Sequence, residues 1–363
     1  MLEHSPELWA PILASCDPAS LLAFSRVSRS ALLHTLFYIR QIESLSPPAW
    51  VLRLVQCPFP WLEAQSLHWK HVLVTTDLAA FLPLMPRLQF CQTLILDGVW
   101  RQVAPTSSQW RQFTMHLSQS LPSLQVLSLQ HNLLQPAHLE VWQSAGKMRL
   151  RWHSLILAHN PSLGTEGLAI LLRMIEGTTS LAETLELLDI SATVQSETDP
   201  DCGEVIGRLL SACHRLRTFK CRSLPITTDG LQHLLTTQAQ ASIATGAQSE
   251  NQAYTLQRWD LMSCAMTDKE WVVLLDVLKL LPSLEVLNIA GNLFSLHIAT
   301  RLLGDIAQSS PNLLMIYCES NAWGVEASNY LACAWQEYCQ RRQEAKEAEA
   351  EQFELLSIGG ALY

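Results

Sequence analysis

The sequence predicts an α/β solenoid, a curved parallel sheet inside and helices outside, and three of its features carry that expectation. Apolar residues recur in one fixed frame: Leu124, Leu127, Leu129 and Asn132 in LQVLSLQHN, Leu284, Leu287, Ile289 and Asn292 in LEVLNIAGN, and Trp152, Leu155, Leu157 and Asn160 in WHSLILAHN. Alternate apolar positions over so short a stretch belong to a strand with one face in a core, and the Asn can satisfy backbone groups where the chain turns away. Between the frames lie segments such as LGTEGLAILLRMIEG, GEVIGRLLSACH and LHIATRLLGDIAQ, with Leu, Ile and Ala at helical spacing. Finally, 48% apolar against 16% charged residues supplies a continuous core through all 363 residues, a length that would otherwise suggest roughly two or three compact domains.

Aligned on its first apolar position, the frame starts at Ala64, Cys91, Leu124, Trp152, Leu185, Leu216, Leu256, Leu284 and Leu313, which makes nine repeats over residues 63–336. The successive intervals are 27, 33, 28, 33, 31, 40, 28 and 29 residues, and the extra length is spent on helices. One repeat cannot bury its own core, so the repeats must stack. The pattern LxxLxLxxN is that of a leucine-rich repeat, and the repeat length resembles the ribonuclease-inhibitor-like subclass. The longest interval contains residues 237–253, TQAQASIATGAQSENQA, which are polar, small and nearly uncharged and are expected to form a loop. Residues 337–363 are rich in charge and helix formers and read as a solvated terminal helix, or as a docking helix anchored by Phe353, Leu355 and Leu356.

Ahead of the repeats, residues 1–45 follow a different logic. Pro6 suits a helix start, Leu8, Ile12 and Leu13 share one helical face, Asp17 and Pro18 break the chain, and Leu21, Leu22, Phe24 and Val27 return to the same core. Residues 4–31 resemble the F-box, the helical module that docks the Skp-type adaptor of SCF ubiquitin ligases. The resemblance rests on Pro6-Glu7-Leu8, Ile12-Leu13, Asp17-Pro18, Leu21-Leu22 and Arg26-Val27-Ser28-Arg29. It implies that Pro6, Leu8, Ile12, Leu13, Leu21, Leu22 and Val27 contact the adaptor and that the chain works with a cullin ligase, in the cytoplasm or nucleus. The alternative is a helical cap over the open end of the solenoid. Residues 46–62, with Pro47, Pro48, Pro58 and Pro60 among Trp50, Phe59 and Trp61, read as a linker packed on the first repeat.

Charge and motifs narrow the function. With 24 Lys and Arg against 33 Asp and Glu the chain carries about −9, which argues against nucleic acid as the main partner. The first residues lack the basic and apolar regions of a secretory signal, and no apolar run is long enough for a membrane span. The ten cysteines include no CxxC and read as reduced thiols, with Cys91, Cys221 and Cys318 on Leu positions and Cys264 on an Asn position. No phosphate-binding glycine loop, HExxH or nucleophile elbow is present, so neither catalysis, metal nor cofactor is expected. His131 and His159 precede the Asn in successive repeats and should stand about a strand spacing apart, roughly 5 Å. Two imidazoles do not make a metal site.

Binding has better support, because residues between the apolar positions form adjacent columns on the concave face. The expected partner-binding positions are Ile95, Asp97, Val126, Ser128, Ile156, Leu187, Asp189, Lys220, Arg222, Arg258, Asp260 and Tyr317. Ile95, Val126, Ile156 and Leu187 would run as an exposed apolar stripe, the usual mark of a contact site. From Glu183 to Glu204 the chain has seven acidic residues and no Lys or Arg, whereas Lys220, Arg222 and Arg258 make the next repeats basic. The expectation is therefore a non-catalytic interaction protein: the substrate-recognition subunit of an SCF-type ligase that holds a substrate protein on its concave face. The competing class is a structural scaffold subunit of a large assembly, in which residues 1–45 serve as a cap.

Overall fold

The computed structural model describes residues 44–45, 71–73, 82–144, 151–177, 179–195, 202–233, 235–236 and 254–359. The chain forms two units, Met1–Val194 and Gln195–Tyr363. The F-box-like positions Pro6, Leu8, Ile12, Leu13, Leu21, Leu22 and Val27, the linker 46–62 and the polar segment 237–253 lie outside the described residues.

In the first unit β1 (Ser44–Leu45), β2 (His71–Leu73), β3 (Thr93–Ile95), β4 (Val126–Ser128), β5 (Ser154–Ile156) and β6 (Leu187–Asp189) pair side by side in parallel and in sequence order. In the second unit β7 (Thr218–Lys220), β8 (Arg258–Asp260), β9 (Val286–Asn288) and β10 (Met315–Tyr317) do the same. Thr93, Val126, Ser154 and Leu187 are partners in register, as are Thr218, Arg258, Val286 and Met315. Each is the third residue of the frame that the apolar spacing defines from Cys91 to Leu313. Pairing continues past the strands: the amides of Leu96, Leu129 and Leu157 donate to the carbonyls of Ser128, Ile156 and Asp189 at 2.9, 2.8 and 2.8 Å.

The frame fails at its N-terminal end. His71 is the partner of Thr93, so this repeat starts at Trp69 and not at Ala64. Ser44 in turn pairs with His71, which puts a strand before the first expected repeat and inside the stretch expected to be helical. Ala64, Leu67 and Trp69 satisfy the apolar spacing as well as Trp69, Val72 and Val74 do. Spacing cannot choose between them, whereas backbone hydrogen bonds choose one register.

Helices close each repeat on the other side of the strands. They are α1 (Ser107–Gln119), α2 (Pro136–Ser144), α3 (Gly164–Gly177) and α4 (Thr179–Thr184) in the first unit. In the second they are α5 (Gly203–Ala212), α6 (Asp268–Lys279), α7 (Leu296–Ser309) and α8 (Gly324–Gly359), with a further helical stretch over 228–233. At α5, Gly203 approaches Gly230 so closely that a Cβ on Gly230 would meet the Gly203 Cα at 2.1 Å, a contact only glycine permits. The helix α8 runs unbroken across the boundary expected at residue 337, and its Arg342 Nη1 donates to the Leu313 carbonyl at 3.0 Å.

From β3 to β9 the frame's strand positions are wholly buried: Leu94, Leu96, Leu127, Leu129, Leu155, Leu157, Leu188 and Ile190 in the first unit, and Phe219, Cys221, Trp259, Leu261, Leu287 and Ile289 in the second, whereas Ile316 of β10 is half-buried. Burying a side chain of this size contributes about 2 kcal/mol. Trp152 takes a Leu position and meets Trp142 edge-on at 5.6 Å, while Trp142 stacks on Trp110 at 5.3 Å.

Just before the Asn position, every repeat from Cys91 onward turns through a left-handed residue: Gly98, His131, His159 and Ala192, then Ser223, Ser263, Gly291 and Ser320. For a residue with a Cβ this costs about 1 kcal/mol. The amides of these residues themselves still extend the ladder, as with His131 to the Ala158 carbonyl at 3.1 Å and Ser223 to the Met262 carbonyl at 2.9 Å. The Asn then fixes the turn. Asn160 accepts from the amides of Asn132 and Leu134 at 2.8 and 3.1 Å and donates to the carbonyls of Leu129 and Leu157 at 2.9 and 2.7 Å.

Candidate binding face

The third, fifth and seventh residues of each frame point away from the buried positions and form three columns on the strand face. In the first unit these are Thr93, Ile95 and Asp97, then Val126, Ser128 and Gln130, Ser154, Ile156 and Ala158, and Leu187, Asp189 and Ser191. Ile95, Val126, Ile156 and Leu187 are half-buried where exposure was expected. They also zigzag: Ile95 and Ile156 stand in the middle column, opposite Ser128 and Asp189, while Val126 and Leu187 stand in the first. Neighbouring strands lie about 4.8 Å apart, so side chains on one face cover each other.

Polar positions on this face are engaged within the fold. Asp97 accepts from Ser128 Oγ at 2.6 Å, from the Gln130 amide at 3.0 Å and from Gln130 Nε2 at 3.2 Å. Asp189 is buried and accepts from the Ser191 amide at 3.1 Å. In the second unit Asp260 is fully buried, takes Arg222 Nε at 2.7 Å on Oδ2 and faces the Met262 amide with Oδ1. Asn288 does the same for the Ala290 amide at 3.0 Å. Asp189 and Asp260 each face the amide two residues on in their own turns, and Ser128 donates to Asp97 on the neighbouring strand. An acceptor at the fifth position lies within reach of the amide two residues on, as in an Asx turn.

The more accessible positions of the second unit's face are of two kinds. Arg222 and Arg258 are exposed, and Lys220 is half-buried beside them. Across β8 to β10, Met262 is 37% exposed and Met315 is 45% exposed, with half-buried Val286 and Tyr317 between and beside them. Glu319 is exposed at the far end of β10's repeat. Among the described positions of the three columns these two methionines are the most exposed apolar side chains, and neither belongs to the continuous stripe that the sequence suggests. Flanking charges gave the only sequence signal for them.

The His131 and His159 rings stack at 4.3 Å and within 5° of parallel, close to the spacing expected. Burial lowers the pKa of His131, helped by the like charge of His159 and by Arg101 and opposed by Asp97. Coplanar stacking points the ring nitrogens along their own planes and not toward a common point. Among the described residues no three His, Cys, Asp or Glu side chains gather to hold a metal ion. Cys91, Cys213, Cys221, Cys264 and Cys318 are buried and unbridged. Burial pushes the Cys91 and Cys213 thiols up to about 12, which leaves them un-ionised packing groups.

One strand per repeat, the buried Leu positions and the Asn-fixed turns are together the arrangement expected from the sequence. The fold is of the leucine-rich-repeat type. No protein-family model matches the chain, and no curated protein matches it. Among solved structures it is similar to the crystal structure of a TLR13–ssRNA13 complex, at 16% identity and a TM-score of 0.40, over 72% of this chain and 33% of that one. Likeness at this level carries nothing about what the chain binds. Among the described residues no helix is long and apolar enough to cross a membrane.

Proposed function

We propose that the chain is a non-catalytic interaction protein whose repeats hold a protein partner on the strand face. The observation that carries this is the pair of exposed methionines, Met262 and Met315, set among Val286, Tyr317 and the cations of β7 and β8. Exposed apolar side chains rimmed by charge are what a protein contact buries.

In its finer form, residues 4–31 dock a Skp-type adaptor and the chain presents its partner to a cullin ubiquitin ligase. The motif residues Pro6, Leu8, Ile12, Leu13, Leu21, Leu22 and Val27 support that form. One observation favours the cap and scaffold reading instead. Among the described residues the first strand of the ladder is Ser44–Leu45, and the F-box-like residues precede it in the sequence, as a terminal cap would.

Full-length protein carrying Leu21→Asp and Leu22→Asp, tested for capture by purified Skp-type adaptor, separates the two. Adaptor capture by the parent chain that disappears in the double variant, with unchanged thermal unfolding, supports the ligase form. A parent chain that captures no adaptor, or a double variant whose repeats melt early, puts the cap ahead.

A further inference from the structure

We infer that the partner of the second unit's face is an extended peptide segment that carries acidic side chains at one end and aliphatic ones at the other. This rests on the reading that the strand face holds a protein partner, and it names the chemistry of that partner.

Charge supplies the first half. The face positions of β7 and β8 bear three cations, Lys220, Arg222 and Arg258, and one carboxylate, Asp260. That carboxylate is fully buried against the Arg222 guanidinium and offsets its charge, so the excess positive charge of these face positions is that of the two remaining cations. Arg258 stands exposed in the first column between Thr218 and Val286. The approach to β7 and β8 is therefore positive, within a chain whose net charge is −9.

Apolar surface supplies the second half. From β8 to β10 the face turns to Met262, Val286, Met315 and Tyr317, with small, buried Ala290 between Met262 and Glu319 in the third column. Methionine side chains are flexible and polarizable and re-pack around differently shaped aliphatic groups, which suits a linear segment better than a rigid domain surface. Glu319 then disfavours a carboxylate at this end and fixes which way the segment lies. Side chains on one edge of an extended segment repeat at about 6.6 Å and strands at about 4.8 Å, so a short peptide spans β7 to β10.

The experiment is selection of a display library of random peptides on the immobilised full-length chain, with Arg258→Glu, Met315→Gln and, on the first unit, Val126→Gln as comparison proteins. Acidic sequences with aliphatic residues should be enriched. Their recovery should fall about tenfold with Arg258→Glu, less with Met315→Gln, and stay unchanged with Val126→Gln. Added salt should weaken capture by the parent chain. Arg258→Gln, which removes the charge without inverting it, guards against misfolding when its thermal unfolding matches the parent's. Enrichment of neutral or basic peptides, recovery indifferent to Arg258→Glu, or no enrichment at all overturns the inference. Peptides lost with Val126→Gln alone would overturn it and leave the strand face as the binding site, whereas enriched peptides indifferent to every face variant would remove the face reading too.

Discussion

Two turns built on the same frame, after β5 in the first unit and after β8 in the second, meet one backbone problem with different chemistry. Asn160 offers a strong acceptor to two amides and two strong donors to carbonyls on both sides of the turn. In the other turn the Asn position holds Cys264. Its thiol donates to the Cys221 carbonyl at 3.1 Å, standing in for the amide donor, but it offers no acceptor of comparable strength. The missing acceptor is supplied by the backbone: the Ile226 amide turns to the Cys264 carbonyl at 3.3 Å. Thr193 answers in a third way, with its hydroxyl on the Ile190 carbonyl at 2.7 Å. These three turns each use a small polar group that reaches back into the turn, whereas Val99 and Leu224 hold the same position in their repeats. Asn is the fullest solution and not the only one.

The largest effect expected from breaking this comparison is Asn160→Ala. Two amides and two carbonyls lose their partners in a site closed to water, and at about 1–3 kcal/mol for each orphaned group the loss should reach about 4 kcal/mol. Cys264→Ala should cost about 1 kcal/mol, because a weak thiol donor goes and the Cys264 amide stays on Asn292 Oδ1 at 2.9 Å. Urea unfolding of the two variants measures both, and equal losses would show that the Asn is not what fixes the turn.

A smaller contrast lies at the helix starts. Thr106 caps α1 through a box closed by the neutral Gln109 at an exposed site. Thr267 caps α6 through Glu270, which is buried and also accepts from Thr228 Oγ1 at 2.6 Å. Thr267→Ala should destabilise by about 2 kcal/mol and Thr106→Ala by about 0.5–1 kcal/mol, read as shifts in thermal unfolding.

The smallest effect at neutral pH, and the one that separates the units most cleanly, is acidification. Burial lowers the pKa of His116, His131 and His138, all in the first unit. Their neutral forms belong to the fold: His138 Nδ1 accepts from the Gln135 amide at 2.9 Å. The stability they contribute is complete above the ordinary value of 6.5 and is lost as pH falls through their lowered values. In the second unit, burial alone would raise Glu270. Hydrogen bonds from Thr228, from the Thr267 hydroxyl and from backbone amides outweigh it and lower the value. Its contribution is complete above 4.5 and is lost only as pH falls through the lowered carboxylate value. Hydrogen exchange, corrected for intrinsic rates and followed from about pH 7 to about pH 4, should show the first unit opening before the second. The reverse order would contradict these assignments.

The face shows where sequence reasoning reached and where it stopped. Alternation identified which residues share the face, since Thr93, Val126, Ser154 and Leu187 fall in one register as the frame requires. It could not weigh their exposure. Asp189 and Asp260 look like partner contacts in a list of polar face residues, yet each is within reach of the amide two positions on and is buried by adjacent strands. Nor could it find the left-handed row, because His131, Ala192 and Ser263 carry none of the glycine that usually signals such a turn.

By itself the sequence determined the repeat, its frame from Cys91 to Leu313 and the side of each strand that faces the core, because a period of two in apolar residues has one buried face. Tertiary structure alone decided that Ser44–Leu45 pairs ahead of the expected first repeat, that His71 and not Ser66 is in register with Thr93, and that Met262 and Met315 are more exposed than Ile95 or Val126. Those outcomes depend on which strand lies beside which, and on how far each side chain is covered by a neighbour some 30 residues away, as the 31-residue reach from Asp97 to Ser128 shows.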